Sequence, residues 1–473
     1  MGEDTVIESD SHFFQLGGNS LMALKLINFI EKQTLINISL LEIMKSPTLN
    51  GMSELVNNKP SKIIRFLNAL TFEEKAKGVK VNTHQQLLWP LYKSEQSSHY
   101  NIVTSYDIYG EVDFVKLKQA LILLYRDFDT LHCIFEEQDE RIVMKPSVSQ
   151  SWSPSFLDGD ESAVSKLCKV EQLREFDLTT GPLFKAHIVA LSRGHTVLIL
   201  NCPHIIFDGY SMTLFWRRLN LRYHQKPMST IKFGYIDYLA QCSTTPVKLN
   251  YWKARLKNYK PFKLHSLGPL SKNANHTYHS QMSICDSNLL LQLAETTNSS
   301  TFCVALYTWS KTLSEFISIE DIVVSTPYSN RQQSQLSEIA GYLVSMVPVR
   351  YRKGIHIGDF HHDLYRDLES ANFDINALLS EIHLDSGLMQ NPLQQVVFSW
   401  QEGIDFTPDI NSLTISRRRI CLSKPKFPLS LTIQPKNDVF VLSWEFDPSI
   451  LSESTIERLE FLFLSNIRGE KPS

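Results

Sequence analysis

Cysteine is scarce and unpaired in this sequence. The seven cysteines, at 133, 168, 202, 242, 285, 303 and 421, are odd in number, and no two form a C-x-x-C pair. That argues against a disulfide framework and a structural zinc site, and it points to a reducing, cytoplasmic setting with no metal bound. Charge of one sign is lacking too. The 47 basic and 50 acidic side chains leave a net charge of −3, which offers no nucleic-acid surface. No apolar run approaches the roughly 18–20 residues of a membrane-spanning helix. The opening MGEDTVIESD is acidic and has no apolar centre, so no signal peptide is expected, and Val6 breaks the myristoylation pattern.

What is present is an ordinary globular composition, 43% hydrophobic and 21% charged. At roughly 100–200 residues per domain, the length implies two to four domains or subdomains. Residues 20–33 (SLMALKLINFIEKQ) put Leu21, Leu24, Leu26, Ile27 and Ile30 on one broad face, the pattern of a helix. SLLEIMK and LNGMSELV predict two further short helices, and NNKPSK (57–62) reads as a linker. Beyond it, helical stretches at 113–126 and 213–224 alternate with strand-like runs at 102–108, 184–191, 196–202, 321–326, 393–400 and 439–446. This mixture over about 390 residues predicts an α/β or α+β body too large for one core. A break near 245–260 divides it into two similar lengths.

Two motifs carry chemistry. In FFQLGGNSLMALKL, Ser20 follows a glycine pair and begins a helix. A helix N-terminus offers unpaired N–H groups and suits a phosphate ester; equally, Asn19 or Ser20 is a plain N-cap. In LILNCPHIIFDGYSM (198–212), an apolar run ends at a proline, and His204, Asp208 and Gly209 follow. An imidazole accepts a proton near neutral pH, an aspartate four residues on can fix the loop, and a glycine N–H can face an oxyanion. Alone, this pattern equally fits a buried core histidine followed by an Asp-Gly turn.

The surrounding motifs resolve both ambiguities. FFQLGGNS, a helix and then SPTLNGMSEL resemble a peptidyl carrier domain of nonribosomal peptide synthetases. The resemblance implies 4'-phosphopantetheine attached to Ser20. Only about a dozen residues precede the motif where the family has a long helix, so residues 1–56 are expected to be an N-terminally truncated carrier. NTHQQLLWPL (82–91), SSHYNI (97–102), FDLTTGPLFKAHIVAL (176–191), YWKARL (251–256), DIVVSTPYSNR (321–331), IAGYLVSMVPVR (339–350), QNPLQQVVFSW (390–400) and FPLSLTI (427–433) then follow in order. Together they resemble the condensation domain of the same synthetases.

That resemblance implies two chloramphenicol acetyltransferase-like subdomains in a V-shaped pseudo-dimer, at 81–250 and 251–473, after a linker at 57–80. It implies amide-bond formation between a donor acyl or peptidyl thioester and the amine of an acceptor aminoacyl thioester. Both are borne on phosphopantetheine arms of donor and acceptor carrier domains. A phosphopantetheinyl transferase and a neighbouring adenylation domain are the further partners. The family's motif is His-His-x-x-x-Asp-Gly. Its second histidine matches His204, its aspartate Asp208 and its glycine Gly209, while Pro203 replaces the first histidine. Arg331 matches the arginine that pairs with the aspartate, Ser211 supports the site, and Trp400 is either packed in the core or lines the tunnel. Whether His204 takes a proton from the amine or orients it is open.

Some motifs are degraded: DFDTLHCIF (127–135) keeps Leu131 and Phe135 of the family pattern, and ANFDINA (371–377) keeps little. Heterocyclising relatives carry an aspartate where Pro203 stands, and epimerising relatives carry Ser-Trp where Ser211-Met212 stands. Two alternatives to amide formation remain: an ester-forming or cyclising relative, and a catalytically impaired carrier-docking platform, which Pro203 and the degraded motifs favour. HHDLYRD (361–367) is expected to be a solvated helix face, SRRRI (416–420) an exposed loop or strand, and Cys202 an inert packed thiol.

Overall fold

Hydrophobic periodicity divides the chain into an N-terminal helical segment and two mixed halves. The computed structural model describes residues 7–470, apart from 14–15, 17–19, 35, 37, 60–68, 94–96, 140, 148–150, 229, 243–245, 263, 265–275, 332–333, 383–390, 402–409, 411 and 421–424. The first segment holds α1 (Ser20–Thr34), α2 (Leu40–Lys45) and α3 (Leu49–Asn58). A capping box of Ser39 and Glu42 starts α2, and Thr48 caps α3. Of the expected α1 face, Ile27 is buried and Leu26 and Ile30 half-buried; Leu21 and Leu24 lie outside the described side chains.

The first half runs α4 (Phe72–Ala76), β1 (Val79–Lys80), α5 (Thr83–Lys93), β2 (Asn101–Tyr109), α6 (Phe114–Asp127), β3 (Cys133–Gln138), β4 (Arg141–Pro146), β5 (Ser155–Asp158), α7 (Glu161–Gln172), β6 (Lys185–Ser192), β7 (His195–Pro203), α8 (Gly209–Tyr223) and α9 (Tyr235–Gln241). The second runs α10 (Pro246–Arg255), β8 (Thr277–Gln281), α11 (Ile284–Thr296), α12 (Thr301–Ile317), β9 (Asp321–Tyr328), β10 (Ser345–Arg352), α13 (Ile357–Glu369), α14 (Ile375–Glu381), β11 (Val396–Trp400), β12 (Thr414–Arg418), β13 (Leu429–Lys436), β14 (Val439–Phe446) and α15 (Glu453–Arg468).

Each half carries one large mixed sheet, as expected of two related subdomains. The first sheet has the order β12-β2-β7-β6-β5 and the second β10-β9-β11-β13-β14-β8; β1, β4 and β3 form a small third sheet. In the first sheet β7 is central and buried along nearly its whole length, so it reads as a continuous apolar run. In contrast, β14 alternates, burying Phe440, Leu442, Trp444 and Phe446 on one face. Each such side chain contributes roughly 1.5–3 kcal/mol relative to exposure.

Two features differ from the sequence expectation. The expected linker at 57–80 is narrower: α3 reaches Asn58, and α4 is tied to the first half where Lys75 pairs with buried Asp237 at 2.7 Å. The break near 245–260 is mostly α10, whose Trp252 is fully buried in the second core. The halves also exchange structure. β12, from late in the chain, joins the first sheet alongside β2 in antiparallel register. Arg418 of β12 pairs with both Asp107 and Glu161 there, so the basic run is an exposed edge strand held by one arginine. The N-terminal segment shares the second core, where Ala23, Ile27, Ile38 and Ile43 are buried in one cluster with residues of α12 and α13.

Candidate active site

β7 delivers the candidate loop. It ends at Pro203, which pairs with Asn101 at the start of β2, and His204 opens a single 3-10 turn, His204–Ile206. The proline therefore closes the strand where a missing N–H does least harm. Asp208 then caps α8, its carboxylate accepting from the Ser211 N–H at 2.9 Å. Gly209 is the first residue of α8 and is exposed.

Asp208 is structural in its contacts. Arg331 Nη1 donates to its Oδ2 at 2.9 Å and Nη2 to its Oδ1 at 3.1 Å, and the Leu343 N–H donates to Oδ2 at 3.1 Å. Both side chains of the pair are 3% exposed. Ser211 Oγ lies 2.7 Å from Asp208 Oδ1 and accepts the Gly341 N–H at 2.9 Å. Arg331 also lies over the Tyr210 ring at 4.5 Å. The expected partners Asp208, Ser211 and Arg331 are thus brought together, and they bind α8 to the segment between β9 and β10. Gly341 permits a close approach in that segment, because a Cβ there would stand 2.1 Å from the Tyr235 ring and force a shift.

His204 stands apart from this clasp. Its ring meets the Tyr342 ring edge-on at 5.3 Å, and its Nδ1 is buried with no hydrogen-bond partner among the described residues. Burial first, and then the nearby Lys426 ammonium, lower its pKa to about 4, with Asp208 partly opposing. Burial also depresses Lys426 itself. At neutral pH His204 is therefore a free-base imidazole. Cys202, fully buried beside it, has its thiol pushed up by burial and is inert, as expected.

The loop backbone is held from outside by residues not singled out in the sequence. The Tyr92 hydroxyl accepts the His204 N–H at 2.7 Å and donates to the Tyr100 carbonyl at 2.6 Å. Gln85 Nε2 donates to the Ile205 carbonyl at 2.8 Å, and the Thr130 hydroxyl donates to that of Ile206. The signal for two of these was present: Gln85, Trp89 and Tyr92 recur at helical spacing and form the buried face of α5.

The remaining expectations fall as follows. Trp400 ends β11 half-buried and packs on Phe440 with ring centroids 5.4 Å apart, on the second core. Leu131 and Phe135 of the degraded motif are fully buried, so its packing role persists. HHDLYRD does lie on a helix, α13, but it is not a solvated face. Only His362 and Arg366 are exposed, while His361 contacts Ser299 at 3.1 Å and buried Asp367 binds Arg255 and Tyr251. The reason is that α13 is packed on both α10 and α12. Ser20 is the first residue of the fifteen-residue α1, and no acidic residue occupies that helix's first turn. The positive end of a helix dipole favours a phosphodiester, and the first turn of α1 holds no carboxylate to oppose one. Asn19 lies outside the described residues. Among the described residues no helix is long and apolar enough to cross a membrane, and no cluster of three metal-ligating side chains occurs.

Comparison with known proteins accords with this geometry. Residues 75–468 match the Condensation domain family, and residues 1–56 match the Phosphopantetheine attachment site family. Tyrocidine synthase 3 of Brevibacillus parabrevis is 23% identical over 476 residues, covering 97% of this chain and 7% of that protein. Bacitracin synthase 3 of Bacillus licheniformis is 22% identical over 473 residues, covering 96% and 7%. This chain thus spans less than a tenth of the length of these relatives. Among solved structures, the X-domain from teicoplanin biosynthesis superposes with a TM-score of 0.73 at 14% identity, covering 85% of this chain and 96% of that one. The four-domain nonribosomal peptide synthetase holo-AB3403 gives 0.72 at 18%, covering 83% and 33%. At these identities the structural likeness concerns the fold.

Proposed function

This chain belongs to the condensation-domain family, and from that premise we propose that it forms an amide bond between two carrier-borne thioesters. The amine of an acceptor aminoacyl thioester attacks the carbonyl of a donor acyl or peptidyl thioester. The C–N bond forms, the C–S bond breaks, the donor arm leaves as its thiol, and the extended chain stays on the acceptor arm. The observation that carries this reading is His204: a neutral imidazole, its Nδ1 without a hydrogen-bond partner among the described residues, on a loop whose backbone is held by Tyr92, Gln85 and Thr130.

The basicity of His204 narrows its role. A free α-amine has a pKa of about 7.7–8.0. An imidazole near 4 lies about four units below that, so taking the proton from the resting ammonium is uphill by roughly 5 kcal/mol. The amine therefore enters neutral, and His204 orients it and accepts the proton only once attack makes the nitrogen acidic. The Gly209 N–H, at the start of α8, is the candidate donor to the oxyanion. Asp208, Ser211 and Arg331 hold the site's frame.

Ser20 is the proposed attachment residue for the phosphopantetheine arm, which presents the acyl group as a thioester. A phosphopantetheinyl transferase would install the arm, and donor and acceptor carriers and an adenylation domain are the proposed partners. Intact-mass measurement after treatment with a phosphopantetheinyl transferase and coenzyme A tests this: wild type gains the arm, and Ser20→Ala does not.

A second reading is favoured by Pro203, which replaces an imidazole of the family motif: a docking platform without catalysis. A related X-domain has been solved in complex with OxyB. Mass spectrometry of product transfer between loaded donor and acceptor carriers separates the readings. Amide product with at least one pair supports condensation; none across a panel of cognate-like pairs supports docking.

A further inference from the structure

The β2–β7 ladder stops at Asn101 and Pro203, just before the residue the chemistry needs. Beyond that point the His204 N–H has no strand to pair with. Its acceptor is the Tyr92 hydroxyl, at 2.7 Å, and that hydroxyl in turn donates a hydrogen bond to the carbonyl of Tyr100, which immediately precedes β2. One phenol thus bridges the two strand ends where the ladder gives out. Tyr92 is 7% exposed, so neither hydrogen bond has water as a ready substitute.

In a nucleophile–base pair of the familiar kind, a carboxylate orients the imidazole through its second nitrogen. Here that arrangement is absent. The carboxylate of Asp208 is occupied by Arg331, Ser211 and the Leu343 N–H, and His204 Nδ1 has no partner among the described residues. The ring is oriented instead by its edge-on contact with Tyr342 and by the placement of its own turn. Within the turn there is one internal hydrogen bond, from the Phe207 N–H to the His204 carbonyl at 3.1 Å. The other backbone contacts come from outside: Tyr92 at residue 204, Gln85 at 205 and Thr130 at 206.

We propose that Tyr92 is a positioning residue for His204, setting the imidazole against the acceptor amine by clamping its backbone N–H, with Gln85 completing the clamp one residue on. This rests on the reading of His204 as the group that handles the amine. It assigns a role in catalysis to a phenol that never touches substrate. A displacement of about 1 Å at a reacting group can lower a rate by about a hundredfold.

Two variants test the proposal. Tyr92→Phe removes only the bridging hydroxyl. Gln85→Leu, close in volume, removes the donor to Ile205 together with the acceptor of the Asn82 N–H. Each is expected to lower the single-turnover transfer rate roughly ten- to hundredfold with KM for loaded carriers unchanged. In Tyr92→Phe the His204 amide should also exchange with deuterium faster than its β7 neighbours. A wild-type rate in both variants, or a loss carried by KM alone, overturns the proposal. If wild type transfers nothing with any pair, the functional reading fails on its own. The exchange measurement then decides the clamp, and unaltered His204 exchange in Tyr92→Phe overturns it.

Discussion

Asp208 and Arg331, 123 residues apart in the chain, close a two-pronged ion pair at 2.9 and 3.1 Å with both side chains almost wholly buried. It joins the cap of α8 to the segment following β9. Breaking such a pair leaves an uncompensated buried charge, at about 3–5 kcal/mol. Asp208→Ala and Arg331→Ala should each lower stability by about that amount. The double variant should lose clearly less than the sum, because it leaves neither charge stranded. Urea unfolding of the three variants measures this; strict additivity would show that the two side chains do not act as a pair.

Gly341→Ala should destabilise by about 1–3 kcal/mol, since the new methyl meets the Tyr235 ring at 2.1 Å and one of them must shift. The same shift would loosen the clasp on Ser211, so activity should fall with it. A thermal midpoint equal to wild type would contradict the close approach.

Lys426→Met should raise the pKa of His204, because the ammonium now adds to burial in disfavouring the imidazolium. Lys426→Arg should keep the pKa low. NMR titration of the His204 ring protons reads this directly, and identical titration in wild type and Lys426→Met would remove Lys426 from the site's electrostatics.

Stability should fall as pH drops from 6.5 towards 4. Burial holds His84, His204 and His361 at about 4 in the folded chain, below the value of about 6.5 for a free histidine. In that window the unfolded chain binds protons that the folded chain refuses. Each histidine thereby withdraws up to about 3 kcal/mol. Asp367, pushed up to about 6 by burial, works in the opposite direction and offsets part of this. A urea midpoint that does not decline between pH 6.5 and 5 would contradict the burial of these imidazoles.

Pro203→His should change the transfer rate only modestly. The strand already ends at this position, and His204 is held by Tyr92 rather than by its neighbour. A gain of several orders of magnitude would mean that the proline is what limits the natural protein.

Much of this was legible in the sequence, for physical reasons. The apolar runs that became β7, β9 and β14 were visible because burial on one or both faces leaves a period that local reading detects. His204, Asp208 and Arg331 were legible because ordered motifs fix residue types at fixed spacings. Long-range geometry was not. Nothing local says that Arg418 would carry β12 across to Asp107, or that the polar residue Gln85 would be fully buried to hold Ile205. The seemingly solvated HHDLYRD misled for the same reason: Asp367 is buried by Arg255, more than a hundred residues earlier.

The central claim is that His204 handles the amine in the bond-forming step. Single-turnover transfer from a loaded donor to a loaded acceptor carrier, compared between wild type and His204→Ala, tests it most directly. A loss of about 10²–10⁴-fold in rate, with residual transfer from the positioned arms alone, is the predicted result. Equal rates in the two proteins would contradict it.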